Sequence, residues 1–121
     1  MGGDDRRSFE RFETSFRVDV RSGEHFLYAY VTNISEMGLF VRTDAPLPIG
    51  TELVLLLAPD DTDLPFEVRG CVAWINPIRE HGDNPNPGMG IRFETLTPEA
   101  RERLVELVRT IAYLNVEDVS N

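Results

Sequence analysis

The chain has 121 residues and a formal net charge of −9, a size that supports one compact domain with its own core and needs no disulfide or structural metal. The excess of acid excludes a general surface for polymeric nucleic acid and docking on anionic lipid, because both draw their affinity from positive potential. With 41% apolar and 27% charged residues, the composition is that of a soluble globular protein.

All twelve basic residues are arginine, so any cationic site must be built from guanidinium groups. The first residues, Met1-Gly2-Gly3-Asp4-Asp5-Arg6-Arg7, lack the apolar core of a secretory signal. No apolar run reaches membrane-spanning length. A cytoplasmic protein without membrane insertion is therefore expected. Residues 1–11 read as a flexible arm, with Arg7-Ser8-Phe9-Glu10-Arg11 concentrating positive charge in an acidic chain.

From Phe12 to Val20 the residues alternate with period two, which predicts a half-buried strand. Arg21-Ser22-Gly23-Glu24 is a turn, and His25 to Thr32, rich in aromatic and β-branched residues, is a second strand. Asn33-Ile34-Ser35-Glu36-Met37-Gly38 follows as a polar turn. Asn and Ser favour turns because their side chains bond nearby backbone, and Gly38 is expected to supply a positive φ. Leu39 to Thr43 forms a third strand and the apolar run Thr51 to Ala58 a fourth.

Phe66 to Ile75 makes a long fifth strand, with Gly70 expected to mark a bulge or bend. The only cysteine, Cys71, has no ligand-spaced partner and reads as a buried structural residue. After the proline-rich loop to Pro87, Gly88 to Phe93 is a sixth strand. Thr97-Pro98-Glu99 then carries a capping hydroxyl, proline at the first helical position and an early acid, which start a helix over 97–114. Leu104, Leu107, Val108 and Ile111 recur at helical spacing and predict a stripe packed on the sheet. The expected fold is mainly β: a six-stranded antiparallel barrel over 12–96 with a C-terminal α-helix, the whole chain one domain.

The arginine arm and the Asn33–Gly38 turn together suggest a pocket for a small phosphorylated ligand. Guanidinium forks fit phosphate oxygens, and a turn offers backbone N–H groups and short polar side chains. The sequence Arg7-x-x-x-Arg11, followed by Asn33-x-Ser35-x-x-Gly38, closely resembles the RxxxR arm and [D/N]xSxxG turn of the PilZ domain, a receptor module for cyclic di-GMP. Val72-Ala73-Trp74 in the fifth strand and Gly90-Ile91-Arg92-Phe93 in the sixth extend the resemblance along nearly the whole chain.

The resemblance implies that Arg7 and Arg11 bind ligand phosphates and guanine edges, while Asn33, Ser35 and Gly38 shape the pocket. It also implies that Arg6 favours a stacked pair of ligands over a single one. Trp74 falls where some relatives set an aromatic residue against guanine, with a core position as the alternative. Arg42 and Arg92 are further candidate contacts. His25 and His81 have no convincing partner.

No nucleophile motif, phosphate-binding loop or metal constellation is present, and the acidic pairs Asp4-Asp5 and Asp60-Asp61 read as solvated, so neither catalysis nor a cofactor or metal is expected. The implied function is a cyclic di-GMP receptor. On binding ligand, it orders its arm and signals to an unidentified partner protein, in motility, pilus or exopolysaccharide control. The alternative is a ligand-independent interaction module built on the same barrel.

Overall fold

A computed structural model of the chain describes residues 11–58, 65–76 and 86–120, with side chains through residue 114. Six strands run in the order β1 (Phe12–Ser22), β2 (His25–Ile34), β3 (Gly38–Arg42), β4 (Glu52–Ala58), β5 (Phe66–Asn76) and β6 (Gly88–Phe93), followed by helix α1 (Pro98–Ser120). They close into a barrel with the ring order β1-β2-β3-β6-β5-β4, every neighbouring pair antiparallel. The expected barrel with a terminal helix is thus observed.

Alternation sets the two faces. Phe16, Val18 and Val20 of β1 point inward to meet Ala29 and Val31 of β2, Leu53, Leu55 and Leu57 of β4, and Met89 and Ile91 of β6. The β1–β2 hairpin closes through Gly23 and Glu24, with Ser22 paired to His25. Gly23 takes φ 59°, the left-handed geometry that lets a two-residue turn follow the strand twist.

Helix α1 covers the barrel against β1 and β5, burying Leu104, Val108 and Ile111. The stripe is therefore core, as its spacing predicts. The helix continues to Ser120 because no glycine or proline stops it after Leu114. No described helix is long and apolar enough to cross a membrane. At the start of α1, the Thr97 hydroxyl accepts a hydrogen bond from the Ala100 N–H at 3.1 Å. Replacing Thr97 with alanine orphans that donor and is expected to cost about 1 kcal/mol, read as a lower melting midpoint by circular dichroism.

Gly70 does not mark a bulge. It pairs regularly with Leu53 and Phe93, and a Cβ there would press on Ile91 Cγ2 inside the barrel, so the residue is small to make room. The irregularities lie elsewhere. Thr14 and Ser15 of β1 share one position opposite Thr32, Thr32 is the extra residue of β2 against β3, and Ala73 is the extra residue of β5 against β6. The extra residues of β2 and β5 shift the alternation by one and so exchange inward and outward positions beyond them, while β1 keeps one parity from Phe12 to Val20.

Candidate functional site

The bulge at Thr32 creates one end of the site. Ala29 and Val31 point inward, so unbroken alternation would also turn Asn33 inward; the extra residue instead leaves Asn33 half-buried on the outside and puts Ile34 in the core. The Thr32 Oγ1 is buried at this bulge with no hydrogen-bond partner among the described residues. Beyond Ile34 the chain reverses tightly. Ser35 is buried, its N–H donating to the Gly38 carbonyl at 2.8 Å. Its hydroxyl accepts from the Met37 N–H at 3.1 Å and the Gly38 N–H at 3.3 Å, and donates to the Gly38 carbonyl at 3.3 Å. The serine side chain is thus spent on the shape of the turn.

Gly38 is required for a different reason from the one expected. Its φ is not positive; among the described residues the positive values belong to Gly23 and Gly50. A Cβ on Gly38 would collide with the carbonyl oxygen of Ile91 and crowd Arg92 Cα, because β3 meets β6 there. The turn is also tied to β6 by the Phe93 N–H, which donates to the Met37 carbonyl at 2.9 Å.

Arg11, the last residue of the arm, lies exposed beside this turn. Its Nη1 donates to the Asn33 Oδ1 at 2.7 Å. Phe12 pairs with Ile34 and Glu13 with Asn33, so the start of β1 delivers Arg11 directly to the turn. A neutral amide holds one N–H of the guanidinium and leaves its positive charge uncancelled, with further donors in the fork. That arrangement suits an anion.

Register continues from Asn33 around the outside of the barrel. Asn33 stands opposite Phe40, Phe40 opposite Gly90, and Gly90 opposite Trp74. Phe40 is buried but lies outside the core cluster, between the inward-facing Leu39 and Val41; it stacks on Trp74 at 5.1 Å between centroids with planes 29° apart. Trp74 lies over Gly90, whose missing side chain makes room for the indole. The indole is 45% exposed, so a core position for Trp74 is excluded.

The cause is the bulge at Ala73. Val68 and Val72 face inward and unbroken alternation would send Trp74 inward too, but the extra residue turns it out and turns Ile75 toward the core.

Arg11, the turn and the aromatic ledge therefore follow one another along the outside of the barrel. Arg11, Asn33, Ser35 and Gly38 come together directly, and Trp74 lies further around the barrel on the same face. Arg6 and Arg7 lie outside the described residues, as do Asp4, Asp5, Asp60, Asp61 and His81. Arg92 is exposed between Gly38 and Cys71, next to the turn, whereas Arg42 is exposed at the far end of β3 beside Tyr30. Cys71 is half-buried on the outer face, not in the core. His25 is exposed at the hairpin end. Sequence reasoning missed Phe40 and Gly90. A visible signal was the pair Gly88 and Gly90, two apart on a strand and so on one face, which leaves a furrow for aromatic rings.

Residues 5–110 match the family model of the PilZ domain. The chain belongs to the PilZ domain family. None of the curated proteins matches it in sequence. Among solved structures, this PilZ domain is similar to the PilZ domain with c-di-GMP of YcgR from Escherichia coli, with TM-score 0.75 and 13% identity over 96% of this chain and 98% of that one. It is similar to the Bacillus subtilis inhibitor of motility MotI/DgrA, with TM-score 0.71 and 18% identity over 91% of this chain. There it spans only about half, 52%, of the other chain. It is also similar to the PilZ domain of CeSA from a cellulose-synthesizing bacterium, with TM-score 0.65 and 13% identity over 85% of this chain and 98% of that one. At such identities the likeness is one of fold.

Proposed function

We propose that this PilZ domain is a cyclic di-GMP receptor that acts as an adaptor. The observation that carries the reading is Arg11 held by Asn33 at the mouth of a turn whose own polar groups Ser35 has already satisfied. In this reading Arg7 and Arg11 bind phosphates and the O6 and N7 edge of guanine, which a guanidinium fork matches. Asn33, Ser35 and Gly38 hold the pocket open, and Trp74 offers its exposed face to a base. Arg6 extends the cationic side so that two stacked ligands fit. The role is recognition and not catalysis, because hydrolysis of the messenger demands a metal or a positioned base.

Binding would order the arm across the barrel, and the ligand would supply the free energy that makes the change conditional. The composite surface would then meet a partner protein. One structural neighbour is an inhibitor of motility and another comes from a cellulose-synthesizing bacterium, which supports an output in motility or exopolysaccharide control.

Calorimetric titration with cyclic di-GMP tests the reading. Saturable binding at roughly tens of micromolar or below is expected, weakening as salt is raised because the arginine–phosphate attraction is partly screened. The emission of Trp74, the only tryptophan, should change in the same titration. Two ligands per chain is the expected stoichiometry; one per chain removes the stacked pair and leaves the receptor intact. Absence of binding removes the receptor reading in favour of a ligand-independent interaction module.

A further inference from the structure

The outer face of the β1–β2 hairpin carries side chains that the ligand strip does not use. On β2, Phe26 is 47% exposed, Tyr28 71% and Tyr30 56%, three successive outward positions filled by aromatic rings. Single exposed apolar residues are ordinary, but a contiguous aromatic row on a sheet exterior marks an interaction site. Phe26 and Tyr28 pack edge to face at 4.9 Å, so the row is ordered before anything covers it.

Arginines flank the row. Register sets Tyr30 between Arg17 and Arg42, Tyr28 beside Asp19, and Phe26 beside Arg21. The Arg21 guanidinium lies over the Phe26 ring at 6.0 Å from its centroid. At these registered positions three arginines stand against one acid, a local excess of positive charge in a chain whose net charge is −9. Tyrosine and arginine are also the residue types that concentrate binding energy in protein interfaces.

We infer that the outer face of β1, β2 and β3 around Tyr28 is a docking surface for an acidic protein segment carrying an apolar or aromatic side chain between its carboxylates. The apolar group would seat on Tyr28 and Phe26, and the carboxylates would meet Arg17, Arg21 and Arg42. A second copy of this chain fits poorly. A two-fold axis across the strands through Tyr28 sets Arg17 against Arg21 and Asp19 against its own copy, and one along β2 sets Arg17 against Arg42, so both meet in repulsion.

The face begins roughly 10 Å along β2 from Asn33, about three residues of strand, so it lies near the ligand strip without sharing residues with it. The proposal supplies the partner side of the adaptor reading and rests on that reading only for dependence on ligand.

Selection of random peptides displayed on phage against the full chain, with and without cyclic di-GMP, tests it. Selected peptides should be enriched in Asp and Glu around an apolar or aromatic residue. Their affinity, read by fluorescence polarisation, should fall by roughly tenfold or more in Tyr28→Ala and in Arg17→Glu and should fall with salt. Both variants should keep the parent melting midpoint, since both positions face solvent. No enrichment, a consensus without acids, or affinities unmoved by both variants would overturn the proposal. So would self-association in sedimentation that Tyr28→Ala abolishes. Because neither residue belongs to the ligand strip, failure of cyclic di-GMP binding in the parent chain would remove the receptor reading while leaving the peptide result to stand or fall alone.

Discussion

Arg11→Ala is expected to weaken cyclic di-GMP binding by roughly 10- to 100-fold in calorimetry, with no change in melting temperature. Each charge-assisted hydrogen bond from a guanidinium contributes on the order of 1.5–3 kcal/mol, and the proposed role gives Arg11 at least one to the ligand. The barrel should be indifferent, because Arg11 is exposed and its contact in the structure is the bond to Asn33 Oδ1 at 2.7 Å. Lysine at this position should restore only part of the affinity, since a point charge cannot reproduce the planar fork. An affinity unchanged by Arg11→Ala would place the ligand elsewhere.

Gly38→Ala is expected to damage stability and binding together. The added methyl meets a backbone oxygen, that of Ile91, which cannot swing aside as a side chain can. Relief requires the start of β3 to move off β6, and that motion strains the Phe93 N–H to Met37 carbonyl bond and the Ser35 network. A cost of about 1–3 kcal/mol follows from the usual effect of overpacking, visible as an earlier transition in urea. Ligand affinity should fall in the same variant because the turn is what moves. Gly90→Ala provides the contrast. There the obstacle is the half-exposed Trp74 indole, which can rotate outward, so the backbone pairing should hold and the cost should be that of the lost Phe40–Trp74 stack, roughly 0.5–1.5 kcal/mol.

The barrel was legible where each strand could be read by itself. Phe16, Val18 and Val20 announce their inward face through period two, and Thr97-Pro98-Glu99 announces the helix through chemistry that acts within one turn. The paired motifs were legible for a similar reason: each is a short run of residue types suited to anion contact or to a tight reversal. What could not be read depends on the neighbouring strand. Nothing in Val72-Ala73-Trp74 states that Ala73 goes unpaired, and without that fact Trp74 falls in the core.

Thr32 hides the orientation of Asn33 in the same way. The need for glycine at position 38 lies in Ile91, a residue far along the chain that only the closed ring brings near. Both site residues that face outward against the alternation, Asn33 and Trp74, owe their position to a bulge, so irregular pairing is the means by which this barrel turns core positions into site positions.

Closure of the ring has a consequence for how the domain can change its clientele. Every strand has two hydrogen-bonded neighbours, so the closed ring offers no full-length edge to a strand added from another protein. Recognition is then written chiefly in outward side chains. Those side chains lie on a scaffold whose core does not depend on them, so exchanging a few exposed residues would give a new listener and leave the proposed ligand strip untouched.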